Sequence, residues 1–244
     1  MNWAKGKLAI AKAINLDLTH PQVWYGRTLQ RYVYSGVKWL DVGCGYQILP
    51  SWAMPDETQT ELARSAAWVA GVDVDPRIAE HPHLTYRVAG LGGALPFRDE
   101  VFDLVTANMV IEHIDDAPKF LADILRVLRP GGRFVFHTPN IIFWVTYIAS
   151  FTPERLKKPI IWKMEQRHAE DVFPTRYELN TPWRIERLAR NAGFEVEEIT
   201  MVGSSRIFDR FGPLGWVECF LQKGVSSAFG GRFNSNIIAV LQRK

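Results

Sequence analysis

Lys38-Trp39-Leu40-Asp41-Val42-Gly43-Cys44-Gly45-Tyr46-Gln47 is the stretch that decides the fold of this 244-residue chain. A short apolar run ends on a carboxylate, and two glycines follow at alternate positions. Such a run, closed by a turn signal, reads as a buried strand of a parallel sheet. Gly43 and Gly45 let the backbone turn tightly and approach a ligand with no side chain in the way. A carboxylate at the strand's end would repel a pyrophosphate at short range, so the turn suits a ligand that offers hydroxyls and a positive charge. An ordinary glycine turn is the alternative reading of this stretch alone.

Trp68-Val69-Ala70-Gly71-Val72-Asp73 reads as a second buried strand ending in an acid. Further strands fit 84–89, 102–107, 133–137, 195–202 and 236–241. Helices fit 57–67, from Asp115 or Asp116 to Leu128, and from Thr181-Pro182 to Asn191. Pro130-Gly131-Gly132 and Gly193 supply stop signals for the last two. Strands alternating with helices at this spacing indicate an α/β fold, a doubly wound and mostly parallel seven-stranded sheet. Residues 1–36 read as a helical N-terminal cap, with His20-Pro21 parting a helix over 8–14 from one over 23–34. Two aromatic, irregular inserts, 139–180 and 204–231, interrupt the rhythm. A single domain over 1–244 holds these parts, with 37–138 as its core.

Composition narrows the function classes. A chain with 47% hydrophobic and 23% charged residues is globular, not disordered. The net charge of +3 is spread thinly, which argues against a nucleic-acid partner. Cys44 and Cys219, far apart in sequence, make neither a disulfide framework nor a metal site, and a reducing cytoplasm is expected. The N-terminus lacks a signal-peptide core, and the longest apolar run, 141–148, falls far short of the ~20 residues that span a bilayer. No cluster has metal-ligand spacing.

Four ordered stretches carry a family resemblance: Leu40-Asp41-Val42-Gly43-Cys44-Gly45, Gly71-Val72-Asp73-Val74-Asp75, Leu95-Pro96-Phe97 with Phe102-Asp103-Leu104-Val105, and Val127-Leu128-Arg129-Pro130-Gly131-Gly132. Over residues 37–138 the sequence resembles the class I S-adenosylmethionine-dependent methyltransferases, in their type 11 branch. The resemblance implies S-adenosyl-L-methionine as cofactor and a small-molecule acceptor. It places Asp41, Gly43 and Gly45 by the methionine part of the cofactor and Asp73 on the ribose hydroxyls, with Asp75 as a substitute. Gln47, Val74, Leu91, Gly92 and Asn108 complete the implied contacts, with Gln47 either narrowing the loop or hydrogen-bonding the cofactor. Gln47 departs from the family's usual small residue, and Leu91 replaces the acid that often meets the adenine amino group. A dinucleotide site is the competing idea, but a third glycine is missing.

Methyl transfer to a hydroxyl needs a base as well as alignment. His113, beside Glu112 after the fourth strand, is one candidate, and His168 in the first insert is the other. His137 ends the fifth strand, facing either the pocket or the core. The aromatic residues of 141–177 and 205–220, interleaved with Arg155, Lys157, Lys158, Lys163 and Arg167, fit a sugar- or lipid-linked acceptor or a peripheral membrane contact; ordinary core is the other reading. The expected activity is therefore O-directed methyl transfer. A cofactor-binding protein without transfer, or a nitrogen- or carbon-directed enzyme, stands as the alternative.

Overall fold

The computed structural model describes residues 3–90, 94–143, 174–203 and 214–244. The chain packs as two compact units. One is made of Gln22–Thr138, Arg176–Thr200 and Ile237–Lys244, the other of Met1–Pro21, Pro139–Thr175 and Met201–Asn236.

The larger unit is built on a seven-stranded sheet of order β3-β2-β1-β4-β5-β7-β6. Its strands are β1 (Lys38–Val42), β2 (Trp68–Asp73), β3 (Tyr86–Ala89), β4 (Phe102–Asn108), β5 (Leu128–Pro139), β6 (Phe194–Val202) and β7 (Asn236–Arg243). The ladders joining β3, β2, β1, β4 and β5 are all parallel. The helices are α2 (Pro21–Tyr32), α3 (Asp56–Ser65), α4 (Ala117–Val127) and α5 (Pro182–Ala192), with α1 (Trp3–Ala13) and α6 (Leu214–Phe229) in the smaller unit. β1, β2 and β4 are mostly apolar and mostly buried because the central strands of a parallel sheet are covered on both faces. Trp39, Leu40, Phe102, Leu104, Phe134 and Phe136 are fully buried there. Each such side chain contributes about 1.5–3 kcal/mol relative to exposure.

Local chemistry sets the helix ends. Asp116 caps α4 by accepting from Lys119 N at 3.0 Å, and Pro118 lies in the first turn, where no N–H is needed. Thr181 caps α5 in the same way, and Gly193 closes it in the left-handed region at φ 102°. β5 differs from the sequence reading, since it begins at Leu128, ahead of Pro130-Gly131-Gly132. Phe102 pairs with Leu128 and Leu104 with Arg133, so residues 129–132 bulge out of the ladder where proline has no N–H to give.

In the smaller unit α1 packs on α6. Lys7 Nζ lies 3.5 Å from Glu218 Oε2, with both side chains buried. Asn140, fully buried, donates its amide to the carbonyls of Arg232 and Asn234. The helix over 214–229 corrects the irregular insert expected at 204–231. Gly224, Ser226 and Ser227 are weak helix formers, so the segment read as irregular from sequence. Among the described residues no helix is long and apolar enough to cross a membrane.

Candidate functional site

The strand order reverses between β1 and β4, so their carboxyl ends diverge into a crevice where open α/β sheets hold ligands. The β1 turn stands at this point. Gly43 has φ +67°, and an added Cβ would lie 2.2 Å from Val110 Cγ2, so the chain passes where only glycine fits. Gly45 has φ +55°, and nothing lies within 4 Å of where its Cβ would be. The second glycine therefore leaves open space above the turn. Gln47 is half-buried in the same turn.

Asp73, at the end of β2, is tied to that turn. Its Oδ2 accepts from Gly45 N at 2.6 Å and its Oδ1 from Asp75 N at 2.8 Å. Each carboxylate oxygen keeps a further lone pair. Asp75 is engaged elsewhere, capping the short 3-10 turn at 76–80 and pairing with Arg77 at 2.5 Å. Val74 is half-exposed at the strand end. Leu91 and Gly92, the remaining implied contacts, lie outside the described residues, as does His168.

Asp41 is buried, and its partner comes from the neighbouring strand. Asp41 and Thr106 are register partners on β1 and β4, and Thr106 Oγ1 donates to Asp41 Oδ1 at 2.6 Å. Thr106 in turn accepts from Trp39 Nε1 at 2.7 Å. Burial pushes the Asp41 carboxyl up to about 7; the Thr106 hydrogen bond opposes the rise and the charge of Asp73 adds to it. A cation next to Asp41 would relieve this. The Cys44 thiol is also pushed up, by burial first and then by the two carboxylates, which makes it a poor nucleophile.

Helix α2 adds polar groups that sequence reading missed. Gln22 Oε1 accepts from Asn108 Nδ2 at 2.9 Å, and Asn108 Oδ1 lies 2.9 Å from His137 Nδ1. In that arrangement the imidazole donates from Nδ1. Its ring stacks on Tyr25, with centroids 5.7 Å apart. Tyr25 is buried, and its hydroxyl lies against the Thr106 side chain and the Ala107 backbone without a well-aligned hydrogen bond to either. Burial, with the Asp41 charge second, holds this phenol well above its ordinary range. Gln22 and Tyr25 stand three residues apart on one helix face, a spacing that marks a shared face but not what it meets.

β4 ends in a sharp turn. Met109 has φ +58°, in the left-handed region that non-glycine residues seldom occupy, and its N–H donates to His137 O at 2.8 Å. His113 closes the short 3-10 turn at 111–113 and is half-buried. Glu112 is buried and accepts from Thr138 Oγ1 at 3.1 Å, and Thr138 accepts from Asn180 Nδ2 at 2.7 Å. The Glu112 carbonyl accepts from the N–H groups of Arg176 and Tyr177, which pins the returning chain beside this turn. Glu112 thus has a clear architectural task.

Comparison with known proteins agrees with this geometry. Residues 40–136 match the family model of the type 11 methyltransferase domain, described as "Methyltransferase domain". The chain is 34% identical over 124 residues to a demethylmenaquinone methyltransferase of Mycobacterium marinum, covering 49% of this chain and 54% of that one. It is 34% identical over 118 residues to the mitochondrial ubiquinone biosynthesis O-methyltransferase of Rattus norvegicus, covering 43% and 32%. The chain therefore spans about half or less of the length of these curated relatives. A solved S-adenosylmethionine-dependent methyltransferase from Aquifex aeolicus superposes with a TM-score of 0.52 at 13% identity, covering 98% of both chains.

Proposed function

The chain belongs to the class I S-adenosylmethionine-dependent methyltransferases, and from that premise we propose that it methylates a hydroxyl of a small, lipid- or sugar-linked acceptor in the cytoplasm. The cofactor, when bound, would supply an electrophilic methyl on a sulfonium, which the acceptor oxygen would take in line as the thioether leaves with the C–S bonding pair.

The observation that carries this reading is the convergence of Asp41, Gly45 and Asp73 at the ends of β1 and β2. Asp73, already holding one N–H on each oxygen, has a lone pair on each for the two ribose hydroxyls. Asp41 offers a carboxylate that a cationic amino group would keep ionised. Gly43 and Gly45 give close backbone approach, and Gln47, Val74 and Asn108 border the same strand ends. His113 takes the acceptor's proton in this reading, with His168 the second candidate from sequence. The relatives named for demethylmenaquinone and for ubiquinone biosynthesis support a lipid-linked acceptor, and the rat protein's name supports oxygen as the methylated atom. A carbon acceptor would relax the need for His113.

The test is incubation with methyl-labelled S-adenosylmethionine and separate panels of lipid phenols, sugars and polar metabolites. Label in a methyl ether, reduced at least tenfold in His113→Ala, is the expected result. Label only in a carbon-bound methyl would refute the oxygen assignment. Cofactor binding with no product in any panel would favour a binding protein over an enzyme.

A further inference from the structure

The smaller unit carries a surface that the methyl-transfer reading does not use. On α6, Val217, Phe220, Leu221, Val225 and Phe229 follow one another at helical spacing, with Gly224 and Ala228 in the same arc. Val217, Phe220, Leu221 and Phe229 are 52%, 56%, 62% and 55% exposed, and Phe233, just beyond the helix, is also exposed. Cys219 on the opposite side is fully buried, so this helix has a packed face and an outward apolar one. From Val217 to Phe229 the stripe is about 18 Å long, at 1.5 Å per residue. Soluble proteins seldom expose contiguous apolar surface of this extent without a partner for it.

Charge decides which partner. The helix has two charged residues, and neither interrupts the exposed stripe: Lys223 lies outside its arc, and Glu218, between Val225 and Phe229 around the helix axis, is buried. Glu218 is buried against Lys7, and the Lys223 ammonium donates to Asn15 O at 3.1 Å. Once the buried Lys7–Glu218 pair is set aside, the described charges of this unit are Lys5, Lys12, Lys223 and Arg232 against Asp17 alone. An uncharged stripe of Phe, Leu and Val on a predominantly basic body is the pattern of an element that lies in the interfacial plane of an anionic membrane. A second copy of the same face would bring like charges together, which opposes self-association.

We propose that the outward face of α6 is a docking surface for an anionic lipid bilayer. Its aromatic and aliphatic side chains enter the boundary between headgroups and acyl chains, and the basic groups of its unit draw the protein to the negative surface. This deepens the lipid-linked branch of the function proposed above by naming where the protein meets its acceptor's phase. Docking itself does not require methyl transfer.

The experiment is co-sedimentation of the full chain with vesicles of phosphatidylcholine alone and of phosphatidylcholine with phosphatidylglycerol. Wild type, Phe220→Ser/Leu221→Ser and Lys5→Gln/Lys12→Gln are compared, and S-adenosylhomocysteine binding is measured on each protein. The expected result is binding to the anionic vesicles that weakens with added salt. It falls at least tenfold in the apolar variant and roughly fivefold per lysine removed, while nucleoside binding is unchanged. Equal sedimentation of wild type and the apolar variant, or no sedimentation of wild type, overturns the proposal. Concentration-dependent dimerisation that the apolar variant abolishes overturns it too, in favour of a second copy. Intact vesicle binding with no nucleoside binding would leave this surface standing and refute the methyltransferase reading instead.

Discussion

Replacing Asp41 with Asn should make this protein more stable and less able to bind its cofactor, with a pH signature that identifies the cause. Asp41 is buried beside Thr106, and its carboxyl is pushed up to about 7. An unfolded aspartate titrates near 3.9. Between these two values the folded chain holds a proton that the unfolded chain has released, so stability falls as pH rises through the window. The slope is about 1.4 kcal/mol per pH unit, which amounts to about 4 kcal/mol by pH 8 and roughly 1.5 kcal/mol at pH 5. In Asp41→Asn the amide oxygen still accepts from Thr106 Oγ1, but nothing ionises. The variant's advantage over wild type should therefore grow by roughly 3 kcal/mol between pH 5 and pH 8. For a chain of this size that corresponds to a relative rise in melting temperature on the order of 10 °C. Differential scanning calorimetry of both proteins at the two pH values measures it directly. A melting difference that is the same at both pH values would refute the idea that burial penalises this carboxylate. The same carboxylate should make wild-type affinity for a cationic cofactor rise with pH through about 7, and Asp41→Asn should flatten that rise.

Other outcomes follow from the same geometry. Gly43→Ala places a Cβ within 2.2 Å of Val110 at a positive φ, so it should cost about 1–3 kcal/mol in urea unfolding; adding Val110→Ala should recover only the steric part. Tyr25→Phe removes a buried hydroxyl that lies against Thr106 and the Ala107 backbone without a well-aligned hydrogen bond; it should leave stability unchanged or raise it by about 1 kcal/mol, and a loss of that size would show that one of these two groups binds it. His81 is buried and pushed down to about 4, chiefly by burial, with the nearby His83 and Arg87 adding to it. The unfolded chain therefore binds the extra proton between pH 6.5 and 4, and stability should fall by about 3 kcal/mol as pH drops through that window. Chemical denaturation of His81→Gln at both ends of the window should show a slope shallower by that amount.

Much of the fold could be read from the chain because its rules are local. β1, β2 and β4 announce themselves as short, mostly apolar runs closed by polar residues, and the caps at Asp116, Thr181 and Gly193 use short-range backbone chemistry. α6 escaped because Gly224, Ser226 and Ser227 lower its helix propensity, and β5 began early because its ladder tolerates a four-residue bulge. For the site, sequence picks out Asp41, Gly45 and Asp73, and the structure brings the last two within hydrogen-bond distance. Thr106, Gln22 and Tyr25 were not legible. A lone threonine in FDLVTAN and two polar groups on α2 acquire meaning only when tertiary packing brings them to the ends of β1, β4 and β5. Leu91, Gly92 and His168 lie outside the described residues, so the adenine and second-base assignments rest on sequence alone.

The central claim is that Asp73, tied to the β1 turn through Gly45, receives the ribose of S-adenosylmethionine. Isothermal titration of S-adenosylhomocysteine into wild type and Asp73→Ala tests it most directly. Losing two charge-assisted hydrogen bonds should weaken binding about a hundredfold or more, with circular dichroism showing the variant folded. Equal affinity in the two proteins, or no heat with wild type, would contradict the account.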